Sequence, residues 1–376
     1  MSARAGHGKR VAVVGGGLGG LAAALSFRRM GATVDVYERA PEFAEVGAGI
    51  QVASNGLCVL RALGVDPGGA FLGRGTTLHD HHGKRVAILP NGAGREVRLF
   101  HRADLLKLLE EACRAAGVGL HLGQAVTPET APDVDLLIAA DGVKSSFRRH
   151  VAPDLAEPTF SGQAAWRAIV VPPEPVREGG VSVYMGPGAH VVVYPMRGGE
   201  LINVVAGEDT PAPLAEGWRQ EVPRAEMAAR FAAFGGPVAE LIARAEKVHR
   251  WGLYNHALPR RWSEGRVVLL GDAAHAMLPY LAQGACMAFE DALILATCWE
   301  RHGGEPDAAL GAYEHIRAPR VARVMKEVRA NATRFHHGNP VARLIGHTGL
   351  RAVSTLAPGL IARRFDWLYN YDATAA

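Results

Sequence analysis

What most narrows the folds open to this chain is its first forty residues. An uninterrupted apolar run, Val11-Ala12-Val13-Val14, leads into Gly15-Gly16-Gly17-Leu18-Gly19-Gly20, and alanines and leucines at helical spacing continue to Met30. A second β-rich run, Thr33-Val34-Asp35-Val36-Tyr37, ends at Glu38. An apolar strand of the first kind suits a parallel sheet covered on both faces. The order strand, glycine turn, helix, strand, acid is that of a dinucleotide-binding βαβ unit. Gly15 permits the tight turn, Gly17 lets the backbone approach a pyrophosphate, and Gly20 lets the helix that follows Leu18 pack closely on the strand. Phosphates would then meet free N–H groups at the helix N-terminus, where the dipole favours negative charge. Glu38, eighteen residues beyond Gly20, stands where an acid can accept hydrogen bonds from ribose hydroxyls. The fingerprint alone does not separate NAD from FAD, and a purely structural glycine turn would carry the same residues.

Two later segments break that tie. In Asp135-Leu136-Leu137-Ile138-Ala139-Ala140-Asp141-Gly142 a buried strand runs into an Asp-Gly turn, and Val143-Lys144-Ser145-Ser146-Phe147-Arg148 follows. In Arg266-Val267-Val268-Leu269-Leu270-Gly271-Asp272-Ala273-Ala274-His275 a second buried strand ends in Gly-Asp; then comes Pro279, and Ala282-Gln283-Gly284-Ala285 opens a long helix. With these three motifs in order, the chain resembles the single-component FAD-dependent aromatic hydroxylases. Within that group it is most similar to the enzymes acting on salicylate, 3-hydroxybenzoate and 6-hydroxynicotinate. The motifs run from about Val11 to Asp291, and the general likeness continues to Asp372.

The resemblance implies an α/β fold: a Rossmann-like FAD-binding domain, an inserted antiparallel-sheet substrate domain, and C-terminal helices. It assigns residues 1–71, 97–156 and 250–335 to the discontinuous FAD domain, 72–96 and 157–249 to the substrate sheet, and 336–376 to a helical tail. It also implies that NADH or NADPH reduces the flavin, that O2 adds at C4a, and that the hydroperoxide passes a hydroxyl group to an electron-rich ring. No second fingerprint is present, so the nicotinamide cofactor is expected as a transient co-substrate.

The chemistry of the motif residues agrees. Asp272, at a strand's carboxyl edge, can bond the hydroxyls of a ribityl chain, and the helix opening at Gly284 and Ala285 can turn its positive end to the flavin. By resemblance, Arg102 in His101-Arg102-Ala103-Asp104 is a further FAD contact. Gln51, after Gly47-Ala48-Gly49-Ile50, lies near the ring, Arg39 and Val126 lie beside the adenine, and Asp141 belongs to a loop serving both cofactors. Simpler readings stay open: Asp272 as a helix cap, Arg102 as a surface ion pair, Asp141 as a turn residue, and His275 as structural.

The middle of the chain has another texture. Val181, Val183 and Met185 alternate with smaller or polar residues, Gly186-Pro187-Gly188 turns, Ala189–Pro195 returns, Arg197-Gly198-Gly199-Glu200 turns again, and Leu201–Val205 makes a third strand. This is an antiparallel meander. His190, Val192 and Tyr194 share one of its faces. The resembling enzymes carry a His-x-x-x-Tyr pair here that contacts substrate and assists its deprotonation, which makes His190 and Tyr194 the expected catalytic residues. Their Cα atoms would stand about 13 Å apart, and a His and a Tyr satisfied by neighbouring strands remain the alternative. Val192, Pro279 and Tyr280, with Leu278 and Leu281, would supply apolar pocket walls. Where 6-hydroxynicotinate enzymes place histidines this chain has Gln51 and Tyr280, and Pro279 replaces a glutamine of the 3-hydroxybenzoate enzymes.

The rest excludes more than it adds. Charge is nearly balanced at +4, which gives no ground for nucleic-acid binding. Cys58, Cys113, Cys286 and Cys298 form no CxxC pair, and no metal site is expected; His79-Asp80-His81-His82 and His336-His337 read as solvated loops. The stretch 267–289 lacks Lys and Arg but is interrupted by Asp272, His275, Pro279 and Gln283, so it reads as buried rather than membrane-spanning. A cytoplasmic enzyme is the expectation, with a small aromatic substrate and O2 as partners and no reading of oligomeric state. An NAD-dependent dehydrogenase would leave the Gly271-Asp272 segment without a role. A flavoprotein that does not hydroxylate is another alternative, and an FAD monooxygenase of 6-hydroxynicotinate or of a larger aromatic metabolite is the third.

Overall fold

The computed structural model describes residues 6–43, 48–217, 220–336 and 338–375; Gly47 and His337 fall outside them. The apolar runs of the two nucleotide motifs meet in one six-stranded sheet. Its order is β16 (Ser263–Glu264), β17 (Val267–Leu269), β9 (Leu136–Ala139), β1 (Arg10–Val14), β2 (Thr33–Glu38) and β8 (Gly119–Leu122), parallel except at β16. The register sets Tyr37, Val14, Ala139 and Leu269 side by side. Helices α1 (Leu18–Arg29), α3 (Arg102–Ala115), α8 (Gly284–Arg301) and α9 (Pro306–Phe335) pack with this sheet in the main core. α1 forms because its Leu and Ala residues bury one side while Arg28 and Arg29 close the negative end. Gly15 sits at φ +105°, and a Cβ there would lie 2.3 Å from the Ala140 carbonyl oxygen. One at Gly20 would lie 2.0 Å from the Gly15 carbonyl oxygen, so strand, turn and helix meet closer than any side chain allows.

The second sheet is larger than the meander that the sequence outlines. Eight strands run in the order β14 (Glu221–Val222), β15 (Val248–Asn255), β10 (Thr159–Val170), β13 (Leu201–Asp209), β12 (Ala189–Met196), β11 (Val181–Gly186), β5 (Thr76–Asp80) and β6 (Arg85–Leu89). The sheet is antiparallel except for the β5–β11 pair, which is parallel because the β5–β6 hairpin enters from a separate stretch of chain. β15 carries it to residue 255, beyond the 249 expected for the substrate sheet. His79 and Asp80 end β5 instead of lying in a loop, and His79 stacks on Tyr184 at 4.6 Å. α5 (Arg224–Arg230) and α6 (Val238–Arg244) cover one face of this sheet.

A three-stranded sheet of β3 (Gly49–Ala53), β7 (Val97–His101) and β4 (Phe71–Leu72) joins the two halves. α2 (Ser54–Ala62), α4 (Phe147–Val151) and α7 (Asp272–His275) are short connectors. α10 (Pro340–Leu356), α11 (Pro358–Arg364) and α12 (Asp366–Tyr369) close the chain; α10 is capped by the Asn339 side chain and buries no residue fully. Among the described residues, no helix is long and apolar enough to cross a membrane.

Candidate active site

Three motifs that are far apart in sequence emerge at one sheet edge. Because β2, β1, β9 and β17 are neighbours in register, Glu38 at the end of β2 stands beside Gly15, Asp141 and Asp272, which follow the carboxyl ends of the other three parallel strands. Three inter-strand gaps span about 14 Å, the reach of a dinucleotide laid across the edge. Ligands of open α/β sheets lie in this position.

The edge is held from below and open above. Glu38 Oε2 accepts from the Gly16 amide at 2.7 Å and Oε1 from that of Ala40 at 2.9 Å, which ties the acid to the glycine turn. Gly17 and Gly284 have no atom within 4 Å of where a Cβ would stand. The Asp141 Oδ2 accepts from the Ser146 amide at 2.9 Å, while its buried Oδ1 has no hydrogen-bond partner. Arg148 locks the two aspartate turns together: its guanidinium donates to the carbonyls of Ala273, Val143 and Asp272. Asp272 itself is exposed, and Leu18 is buried at the helix start. An orphaned carboxylate oxygen, an open glycine turn and a second open helix start suit a ligand with phosphates and hydroxyls, and FAD fits that set.

The remaining expected contacts distribute around this edge. Arg39 is exposed beside Glu38. The loop carrying Val126 runs along the same turn, since the Gly123 and Gln124 amides donate to Ala40 and Glu38 carbonyls at 2.8 and 2.9 Å. Arg102 opens α3 with its amide donating to the Ala48 carbonyl at 2.8 Å. Ala285 is half-buried in the first turn of α8.

Between the edge, the eight-stranded sheet and α10 lies a cavity of about 770 Å³. Gln51, His190, Val192, Pro279 and Tyr280 all line it, so three separate stretches of chain converge there. Leu350 and Val353 of α10 close its outer side. Tyr194, which the alternation places beside His190, is not among the lining residues. It is 4% exposed, hydrogen-bonds Gln51, and has its hydroxyl against the backbone of Gly49. Burial pushes the Tyr194 phenol up, the same cause raises Tyr280, and each stays a neutral donor. Burial, reinforced by the facing His336, pushes the His190 imidazole down to about 3. The His190 ring is therefore neutral near pH 7.

A buried polar network supports the site and was not legible in sequence. Glu290 and Asp291 of α8 meet Arg317 of α9 at 2.5 and 2.7 Å, all with fully buried side chains. Asp291 also accepts from His275 at 2.6 Å and from the Gly271 amide at 3.0 Å, which fixes the turn that presents Asp272. Arg320 pairs with Glu290 at 2.7 Å, and Asn55 donates to Glu290 and Gln283 at 2.8 and 2.9 Å. Burial alone would raise the Asp291 carboxyl, but the His275 and Arg317 charges hold it down at about 2. His275 thus has a structural partner. The available signal was two adjacent carboxylates inside an apolar helix, which demand a buried cation.

Comparison with known proteins agrees with this geometry. Residues 9–328 match the model of the FAD binding domain family. The chain is 37% identical to a 3-amino-4-hydroxybenzoate 2-monooxygenase of Streptomyces cremeus, covering 87% of this chain and 88% of that one. It is 34% identical to the 3-hydroxybenzoate 6-hydroxylase of Polaromonas naphthalenivorans (strain CJ2), over 96% of each. Among solved structures, a salicylate hydroxylase in complex with its substrate superposes with a TM-score of 0.79 at 25% identity, covering 98% of this chain and 96% of that one.

Proposed function

The chain belongs to the FAD binding domain family, and from that premise we propose that it is an NAD(P)H- and O2-dependent monooxygenase that hydroxylates a benzoate already bearing a hydroxyl group. Salicylate, 3-hydroxybenzoate and 3-amino-4-hydroxybenzoate are the candidate substrates. The observation that carries the reading is His190: a neutral imidazole on the wall of an apolar cavity, next to an edge that suits FAD.

Bound FAD, once reduced by NAD(P)H, supplies the activated oxygen. Glu38 would hold the adenosine ribose, the amides at Gly17 and Leu18 the pyrophosphate, Asp272 the ribityl hydroxyls, and the start of α8 at Gly284 and Ala285 the polar edge of the ring. Gln51 would face the ring from β3. His190 accepts the proton of the substrate hydroxyl, which enriches the ring for attack. Val192, Pro279 and Tyr280 exclude water around it. About 770 Å³ has room for the ring end of the cofactor together with a single-ring acid. Tyr194, which sits behind Gln51, orients that side chain rather than taking the proton.

The test is direct. Purified protein reconstituted with FAD should be yellow, and one of the three acids should stimulate NAD(P)H oxidation and gain one atom from ¹⁸O2. Colourless protein after reconstitution, or stimulated oxidation yielding only hydrogen peroxide with every acid, would count against the reading.

A further inference from the structure

His190 is the first member of a hydrogen-bonded series that leads out of the cavity. Its Nδ1 shares a hydrogen bond of 2.7 Å with Nε2 of His336, at the end of α9. His336 Nδ1 lies 2.5 Å from Oδ1 of Asp209, whose side chain is 49% exposed at the end of β13. Gln163 on β10 braces the series: its amide nitrogen donates to Asp209 at 2.9 Å, and its oxygen accepts from the Tyr280 hydroxyl at 2.6 Å. The aromatic rings of Tyr280 and Phe335 each lie 5.4 Å from that of His190 and 6.3 Å from each other.

The Gln163 amide nitrogen lies 3.1 Å from His336 Nδ1 and 2.9 Å from Asp209 Oδ1, and the shorter contact to the carboxylate directs its proton there. Burial would raise the Asp209 carboxyl, but the hydrogen bonds from His336 and Gln163, aided by the Arg230 charge, hold it below its ordinary value. The carboxylate is therefore ionised, and the proton in the 2.5 Å contact sits on His336 Nδ1. In the tautomer that donates from Nδ1 to the carboxylate, His336 accepts at Nε2, so His190 donates from Nδ1. That leaves His190 Nε2 as the lone pair of the ring lining the cavity. Among the described residues, His336, Asp209 and Tyr280 face His190, Arg230 acts on Asp209, and Arg334, Arg343 and His347 line the same cavity.

We propose that His190, His336 and Asp209 form a proton wire that carries the substrate hydroxyl proton from the closed cavity to solvent, with Gln163 as the positioning residue that holds Asp209 and Tyr280 in line. As His190 Nε2 takes the proton, the His190 Nδ1 proton moves to His336 Nε2, and the His336 Nδ1 proton moves to Asp209 and then to water. Each group gains one proton and gives up one, and the reverse transfers reprotonate the product oxygen before release. The inference deepens the reading of His190 as the base and rests on it.

The test mixes FAD-loaded protein with 3-amino-4-hydroxybenzoate in weakly buffered solution containing phenol red, and follows proton release by stopped flow. The wild-type protein should release one proton on binding. His336→Gln should slow release by about tenfold or more, leave the flavin-fluorescence titration of the acid unchanged, and be restored by added imidazole. Asp209→Asn, at the exposed end, should slow it by less and keeps the measurement open if His336→Gln disturbs α9. Release at the wild-type rate in both variants would overturn the wire. His190→Gln separates the two layers: if it still releases the proton, the base is misassigned, and if it alone abolishes release, the base stands and the wire falls. Binding by the wild type without any proton release would sink both.

Discussion

At the nucleotide edge, β1, α1 and β2 supply the turn, the helix end and the acid within about thirty residues, and two later Asp-bearing turns join them through sheet register. At the cavity, no stretch is sufficient: Gln51, His190, Tyr280 and Leu350 come from four places, and the group behind His190 comes from a fifth. The edge is made mainly of backbone, which tolerates no bulk where strand meets helix. The cavity is made of side chains, and its chemistry depends on what stands behind each of them. Damage to the first should therefore cost the fold and the cofactor together, while damage to the second should cost turnover and spare binding.

The largest effect should come from Gly20→Val. Its Cβ would stand 2.0 Å from the Gly15 carbonyl oxygen, a backbone atom that cannot move without opening the βαβ unit. The expected outcome is protein that retains no FAD, read from its visible absorbance. A yellow, stable Gly20→Val protein would break the contrast at its stronger end.

Next comes Arg317→Met, which removes the buried cation shared by Glu290 and Asp291 and leaves them with Arg320 and His275. Removing one partner of such a set costs about 3–5 kcal/mol, to be read from chemical denaturation of the FAD-free chain. The pH dependence follows from Asp291. Its carboxyl is at about 2 in the folded chain, below its ordinary 3.8, so its contribution is fully present above about pH 4 and is lost as pH falls through 2. In Arg317→Met the acid limb of stability should move to higher pH.

These two regions also differ in how far the sequence revealed them. Val11–Val14, the six residues after it and Glu38 speak through local pattern: strand, turn and helix are neighbours in the chain, and each needs its own residue type. Gly271-Asp272 is legible for the same reason. The pairing of Asp291 with Arg317, and of His190 with His336, depends on two segments meeting in space, and nothing in the spacing of either announces the other. His336 read as a loop histidine because its partners, on β12 and β13, are more than a hundred residues away. Alternation correctly put His190, Val192 and Tyr194 on one face of β12. It carried no information on where the cavity ends along that face.

His190→Gln should be smaller in its reach than either edge variant but specific. Loss of a positioned base typically costs about 10²–10⁴-fold in rate, here in product formation, while FAD content and melting temperature stay near wild type. Because burial holds this imidazole near 3, the base is already neutral throughout the range above about pH 4. Product formation should therefore show no acid limb near the ordinary histidine value of 6.5. A limb there would mean that water reaches the ring and that the cavity is more open than its walls suggest.

Tyr194→Phe should have the smallest effect, and it divides the two accounts of β12. If the residue shares the proton chemistry of His190, as strand alternation alone would have it, its loss should approach that of His190→Gln. In the folded chain its hydroxyl is buried against Gly49 and bonded to Gln51, outside the lining of the cavity. Deleting that hydroxyl removes one neutral hydrogen bond, worth about 1 kcal/mol, and frees Gln51 to turn. The expected result is a modest loss of stability and a several-fold loss of coupling, with proton release on binding of 3-amino-4-hydroxybenzoate as fast as in the wild type. Slowed release in Tyr194→Phe would instead put the phenol in the path of the proton, and the wall of the cavity would have to be redrawn four residues further along the strand.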